Sequence, residues 1–138
     1  MAVDWGERRI GIALSDESRA IASPHGVVKR GGSLDKDLER ISAIARENDV
    51  SLVIFGLPVR LDGSLGPEAS GVLEVVEKLR RKMVIPVKTW DERLSTVAAE
   101  RVLIDGNISR EKRRGLVDQV AAALFLQGYL DSPSGKMP

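Results

Sequence analysis

The chain has no cysteine and a single histidine, His25, in 138 residues. That excludes disulfide cross-links, thiol catalysis and thiolate metal centres, so a metal site here would be built from oxygen donors. Aromatic residues make up only 4%, and the two tryptophans, Trp5 and Trp90, read as packing residues rather than base-stacking platforms. No apolar run approaches the roughly 20 residues of a membrane-spanning helix. No basic segment followed by an apolar one opens the chain. Neither a membrane partner nor a secretory leader is therefore expected, and a cytoplasmic protein is. An excess of one charge is also missing. Lysine and arginine total 21 against 20 acidic residues, a net charge of +1. A polycationic protein is excluded, but one basic face is not.

What is present is an ordinary globular composition, 43% apolar and 30% charged. The length suits one domain, expected over residues 1–131, with 132–138 as a flexible tail. Residues 2–5 and 8–15 read as two strands joined by a turn, with Gly6 as a positive-φ position. In the second, Ile10, Ile12 and Leu14 alternate with Arg9, Gly11 and Ala13, so one face is apolar and the other small. Residues 20–29 read as a third strand, placed at an edge or bulge by Pro24. Ser33 is a helix cap for 34–48. "VSLVIFGLP" (50–58) is a strand buried on both faces, as parallel pairing requires. A glycine-bearing loop leads to a helix over 67–82, with Pro67 in its first turn. Residues 85–90 form a last strand. A helix capped by Ser95 or Thr96 follows, stopped at Gly106, and a final helix spans 116–130. The order β-β-β-α-β-α-β-α-α predicts an α/β fold. Its five-stranded mixed sheet has three antiparallel strands, then parallel ones, with helices on both faces.

Three acidic positions fall where such a layer gathers strand ends. Asp4 lies in the first strand, Asp91 and Glu92 follow the last, and Asp118 opens the final helix beside the small residues Ala121 and Ala122. Clustered carboxylates repel one another. The chemistry that uses them is divalent-metal phosphoryl transfer, in which two ions about 4 Å apart activate water and stabilise the leaving oxygen. Each residue also has an ordinary reading. Asp4 could begin the turn, Asp91-Glu92 could be loop, and Asp118 could complement a helix dipole. The basic residues gather in runs: Arg8-Arg9, Lys29-Arg30, Arg80-Arg81-Lys82, and Arg110, Lys112, Arg113 and Arg114. Each run reads either as a solvated helix end or as part of a phosphate-binding face.

"DWGERRIGIALSD" (4–16), "GLPVRLDGSLG" (56–66), "DERLST" (91–96) and "VDQVAAALFLQGYL" (117–130) together resemble the YqgF/RuvX family over nearly the whole chain. The resemblance implies an RNase H-like fold and an endonuclease acting on Holliday junctions or maturing the 5′ end of pre-16S ribosomal RNA. It implies Mg²⁺ or Mn²⁺ held by Asp4, Glu92 and Asp118, with Glu92 ahead of its neighbour Asp91. It places Arg9 and Arg93 on phosphate, where planar guanidinium donors suit the oxygens. Arg8, Arg110, Lys112, Arg113 and Arg114 would hold flanking phosphates. The glycine loop 56–66 would border the substrate groove, with Gly56 and Gly63 permitting close approach. The chain departs from the pattern in three places. Only Met1-Ala2-Val3 precede Asp4, so weaker pairing of the first strand is expected. Trp5 stands where Tyr, Phe or Pro is more usual, and Ser95 where Thr is.

Two other classes compete with a metal-dependent nuclease on structured RNA or branched DNA. A nucleotide-binding fragment of the sugar kinase and actin type would have a hydroxyl residue in the first hairpin, where Glu7, Arg8 and Arg9 stand, and a second domain. A non-catalytic nucleic-acid-binding factor in transcription or ribosome assembly would have no use for the acidic trio. Resolution of a junction needs two active sites and favours a homodimer, whereas RNA cleavage suits a monomer.

Overall fold

The computed structural model of the chain describes residues 1–92 and 104–136. The strands are β1 (Ala2–Trp5), β2 (Arg9–Ser15), β3 (Ala22–Lys29), β4 (Val53–Leu57) and β5 (Val87–Asp91). The helices among the described residues are α1 (Leu34–Glu47), α2 (Pro67–Lys82), α3 (Arg110–Asp131) and a short turn, α4 (Pro133–Lys136). The sheet order is β3-β2-β1-β4-β5. β1 is antiparallel to β2, and β2 to β3, while β1–β4 and β4–β5 are parallel. This is the mixed sheet that the periodicity predicts, and β1, the shortest strand, is its centre.

The two faces of the sheet are filled differently. Val3, Ile10, Ile12, Val53 and Phe55 point to one side and pack with Leu38, Ile41 and Ala45 of α1 and Val72, Val75, Val76 and Leu79 of α2. Ala2, Ala13 and Ile54 point to the other, against Ala122, Phe125, Leu126 and Tyr129 of α3. The period of two assigns each strand residue to its layer. A fully buried side chain such as Phe55 contributes about 1.5–3 kcal/mol. An exposed ion pair such as Arg46–Glu39 contributes about 0–1 kcal/mol, so the two apolar layers hold the fold.

Several expectations are corrected. The short run before Asp4 does not weaken β1, which is paired on both sides: Ala2 faces Ala13 and Ile54. The Ile54 amide donates to the Met1 carbonyl at 2.9 Å, and the Met1 nitrogen donates to the Leu52 carbonyl at 3.0 Å. Gly6 is not at positive φ; Gly32 and Gly63 are. Gly6 is needed because a Cβ would sit 2.6 Å from the Arg9 carbonyl oxygen, which accepts its amide. The last long helix starts six residues before the expected 116. Ser109 caps it, accepting from the Lys112 amide at 3.4 Å, and arginine and lysine are good helix formers. Past 131, residues 133–136 form the short turn α4, where the Ser132 carbonyl accepts the Gly135 amide at 3.1 Å. Pro24 lies in the edge strand β3, beside a register shift at Ile12/Ala13. The helix expected from Ser95 or Thr96 to 103 falls outside the described residues. The chain is helical at 104–105 and turns at 106–107, where Asn107 takes the left-handed conformation, φ 59°.

Candidate active site

Asp4 and Ala2 share a face of β1, so the carboxyl of Asp4 projects toward α3 from the middle of the sheet. Its register partner on β2 is Gly11. A Cβ at Gly11 would run into the backbone carbonyl of Asp118 and lie 2.7 Å from the Gln119 nitrogen. The absent side chain lets α3 rest its backbone on the strand at the residue that carries the second carboxylate. Ala121 and Ala122, fully buried one turn on, continue that contact. The helix thus meets the sheet through small residues, as the alternation in β2 predicts. Because α3 begins at Arg110, Asp118 lies in its third turn, beyond the reach of the helix N-terminal dipole.

The third carboxylate arrives from β5. Trp90 faces α3, its ring edge-on to Tyr129 at 5.4 Å, and alternation returns Glu92 to that face. The Glu92 amide donates to the Leu57 carbonyl at 3.2 Å, carrying the β4–β5 pairing one residue further. Gly56 on β4 then makes room. A Cβ there would overlap Glu92 Oε2 and stand 2.8 Å from the Phe125 ring. The close approach at Gly56 is thus made, within the chain, by the Glu92 carboxylate and the Phe125 ring. Gly63 sits in the loop at φ +88°, and a Cβ there would meet nothing within 4 Å, so it serves the turn itself.

The Asp4 and Glu92 carboxyls lie within hydrogen-bonding reach of one another, an arrangement favoured when one of them keeps its proton. Burial first, and then the negative charges of Glu92 and Asp118, together raise Asp4 to about 8. Glu92 is raised to about 7 by burial, with the bond from Asp4 opposing and the charges of Asp91 and Asp118 reinforcing the shift. Asp118 is raised by burial, and Arg9 pulls it back. The cause of that opposition is an ion pair, Arg9 Nε to Asp118 Oδ2 at 3.3 Å. Asp91, one residue earlier, is exposed and acts on Glu92 as a neighbouring charge.

The donor set suits a hard divalent cation: carboxylate oxygens, crowded and partly buried, with repulsion that a cation would relieve. Among the described residues, however, no three acidic or imidazole side chains stand as a ready-made metal cage. Asp4 and Glu92 meet, while Asp118 is held by Arg9.

The hairpin that presents Asp4, Arg8 and Arg9 is clamped by two residues, Arg30 and Asp37, whose partnership no sequence motif announces. Arg30 donates from its backbone to the Arg8 carbonyl at 2.9 Å. Its guanidinium donates to the carbonyls of Gly6 and Glu7 at 3.4 and 3.2 Å and lies 4.6 Å over the Trp5 ring. Behind it, Asp37, 1% exposed, accepts from Arg30 Nε at 3.3 Å and from the Gly31 amide at 2.9 Å. The sequence held one signal for this. Asp37 stands four and eight residues before Ile41 and Ala45, on the inward stripe of α1.

Of the other basic residues, Arg8 and Lys112 are exposed. Arg113 donates to the Ile108 carbonyl at 3.0 Å and fastens the turn before α3. Arg110 and Arg114 lie on the first two turns of α3, and Arg93 is outside the described residues. His25 is exposed on β3, away from the carboxylates.

A central short strand carrying a carboxylate, flanked by an antiparallel hairpin on one side and parallel strands on the other, with a second carboxylate on the covering helix, defines an RNase H-like fold. Solved structures agree on the fold. Thermus thermophilus RuvC in complex with a Holliday junction substrate aligns with a TM-score of 0.55 at 17% identity, over 96% of this chain and 94% of that one. The fowlpox virus resolvase with its junction DNA aligns at 0.54 and 12% identity, over 94% and 97%. The RuvX family model, described as Holliday junction resolvase, matches residues 1–132, and the chain belongs to that family. Among curated relatives, each named "Putative pre-16S rRNA nuclease", that of Halothermothrix orenii is 46% identical over 95% of this chain and 93% of its own. That of Thermoanaerobacter pseudethanolicus is 46% identical over 99% and 98%.

Proposed function

We propose that this protein is a divalent-metal-dependent endonuclease that hydrolyses phosphodiester bonds in structured nucleic acid, with the 5′ end of precursor 16S ribosomal RNA as its substrate. The observation that carries the reading is the meeting of Asp4 and Glu92, 88 residues apart in sequence, in a half-buried site that α3 closes with Asp118. A fold that needed these groups only for stability would gain by replacing one with an apolar residue. The naming of relatives about 45% identical over nearly the full chain supports the RNA substrate. The family description supports a four-way junction as the competing one.

In this reading Asp4, Glu92 and Asp118 hold Mg²⁺ or Mn²⁺. When bound, the ion supplies a water acidified toward neutral pH and stabilises charge on the phosphate and leaving oxygens. The chain's own residues do the rest. The proton kept by one of Asp4 and Glu92 leaves as both become ligands. Phe125, against Glu92, keeps that side dry. Arg9 and Arg8, on the clamped hairpin, take phosphate oxygens beside the scissile bond, and Lys112 holds the strand further out. The reading places the protein in the cytoplasm, as a monomer on RNA.

The test is a cleavage panel in Mg²⁺ and Mn²⁺ with precursor 16S RNA, a four-way junction and flap DNA. Metal-dependent cleavage of the RNA that Asp4→Asn abolishes is expected, with binding retained. Equal cleavage by Asp4→Asn, or none of any substrate, would refute the nuclease reading. Preference for the junction would transfer it to DNA.

A further inference from the structure

We propose that Arg9 is an exchangeable counter-ion: it competes with a divalent cation for Asp118, and once displaced it turns to a phosphate of the bound nucleic acid. The inference rests on the metal-site reading above and concerns how the site loads. Its basis is geometric. Among the described residues no three acidic or imidazole side chains form a ready-made cage, and Asp118, whose charge reaches Asp4 and Glu92, is paired with Arg9 at 3.3 Å. The remaining two, Asp4 and Glu92, are already in contact.

The exchange needs side-chain rotation only, because both backbones are fixed. Arg9 is in register with Lys29 on β3, and its carbonyl accepts the Gly6 amide at 3.0 Å. Arg30 holds the turn just before it. The Asp118 backbone lies against Gly11, with no space for a Cβ between them. The two side chains retain access to solvent, 42% exposed for Arg9 and 22% for Asp118, so a hydrated cation and a phosphate can both reach the pair. A guanidinium freed from a carboxylate fits phosphate through the same planar fork of N–H donors. Loading the metal would thereby arm a phosphate contact, and the protein would bind nucleic acid more tightly with metal than without.

A different arrangement is available to the same atoms. Asp118 could give one oxygen to the metal and keep the other on Arg9, making Arg9 a support that orients the ligand. The two arrangements differ in sign. Mn²⁺ binding to the full-length chain, measured by titration calorimetry without nucleic acid, separates them. As an exchangeable competitor, Arg9→Gln binds Mn²⁺ about two- to fivefold more tightly than wild type, in line with the strength of a part-exposed ion pair. It also binds a precursor-RNA hairpin more weakly in Mn²⁺, with a salt slope smaller by about one. Arg9→Lys, which keeps the charge, stays near wild type for Mn²⁺ and recovers part of the RNA affinity; it serves as the test variant if Arg9→Gln does not fold, a Mn²⁺ affinity unlike wild type then counting against the exchange. Unchanged or weaker Mn²⁺ binding by a folded Arg9→Gln overturns the exchange while leaving the metal site standing. Absence of Mn²⁺ binding in both proteins overturns the metal-site reading and the exchange with it.

Discussion

The backbone of Asp118 rests on Gly11, the residue paired with Asp4 across the β1–β2 ladder. One missing Cβ thus sets the distance between two carboxylates 114 residues apart. The site is built by close backbone packing, with the side chains carried to it.

Gly11→Ala should separate the layers. A methyl forced against the Asp118 carbonyl lifts α3 and costs about 1–3 kcal/mol or more, read as a lower midpoint in urea. Gly56→Ala should act differently, since its methyl meets the movable Glu92 carboxylate. A smaller stability loss with at least a tenfold loss of metal-dependent cleavage is expected. Comparable stability losses with unchanged cleavage in Gly56→Ala would show that Glu92 has no such role.

The raised carboxyls predict a pH dependence of the metal-free protein. Unfolded, Asp4 and Glu92 titrate in the usual range near pH 4; folded, they titrate near 8 and 7. Between these limits the native state holds more protons, so stability is greatest below about pH 4 from these two groups and is lost as pH rises through 7 to 8. Thermal melting in chelator should show this fall. Mn²⁺ should restore stability more at pH 8 than at pH 5, where protons compete for the same oxygens.

Asp4→Asn should reduce that slope to the part that the burial of Glu92 contributes. With one of the two repelling groups neutral, the metal-free protein should gain about 1–2 kcal/mol at pH 8 and lose its stabilisation by Mn²⁺. A variant that melts at the wild-type temperature at pH 8, with the pH slope intact, would mean that the pair carries no strain.

Arg30→Met leaves Asp37 buried without its partner. A loss of about 2–4 kcal/mol is expected. Trp5 emission should shift as the guanidinium leaves its face, followed in a Trp90→Phe background. Asp37→Asn should cost less, because it retains a hydrogen-bond acceptor for the Gly31 amide.

The basic run at the start of α3 should divide by environment. Lys112→Ala should weaken nucleic-acid binding and reduce the salt slope by about one, with the melting temperature unchanged. Arg113→Ala should lower the melting temperature, since its guanidinium ties down the Ile108 carbonyl. Identical effects of the two on binding and melting would contradict this division.

The layers are legible in the chain alone. Alternation of Ile10, Ile12 and Leu14 with Arg9, Gly11 and Ala13, and the continuous apolar run of β4, encode a strand's two faces locally. The α1 and α2 periodicities encode the helices that cover one of them. The candidate carboxylates were legible too, as acidic residues at strand ends and beside Ala121 and Ala122. How they are used depends on packing between distant segments. That Glu92 rather than Asp91 meets Asp4 follows from where β5 ends against Leu57. That Gly56 makes room for the Glu92 carboxylate beside Phe125 follows from the packing of β4, β5 and α3 together. That Arg9 holds Asp118, and Arg30 with Asp37 holds the hairpin, depends on contacts between segments far apart or around a turn. Local propensity carries no record of such partners, because each residue's own backbone preference is satisfied whether or not the partner is there.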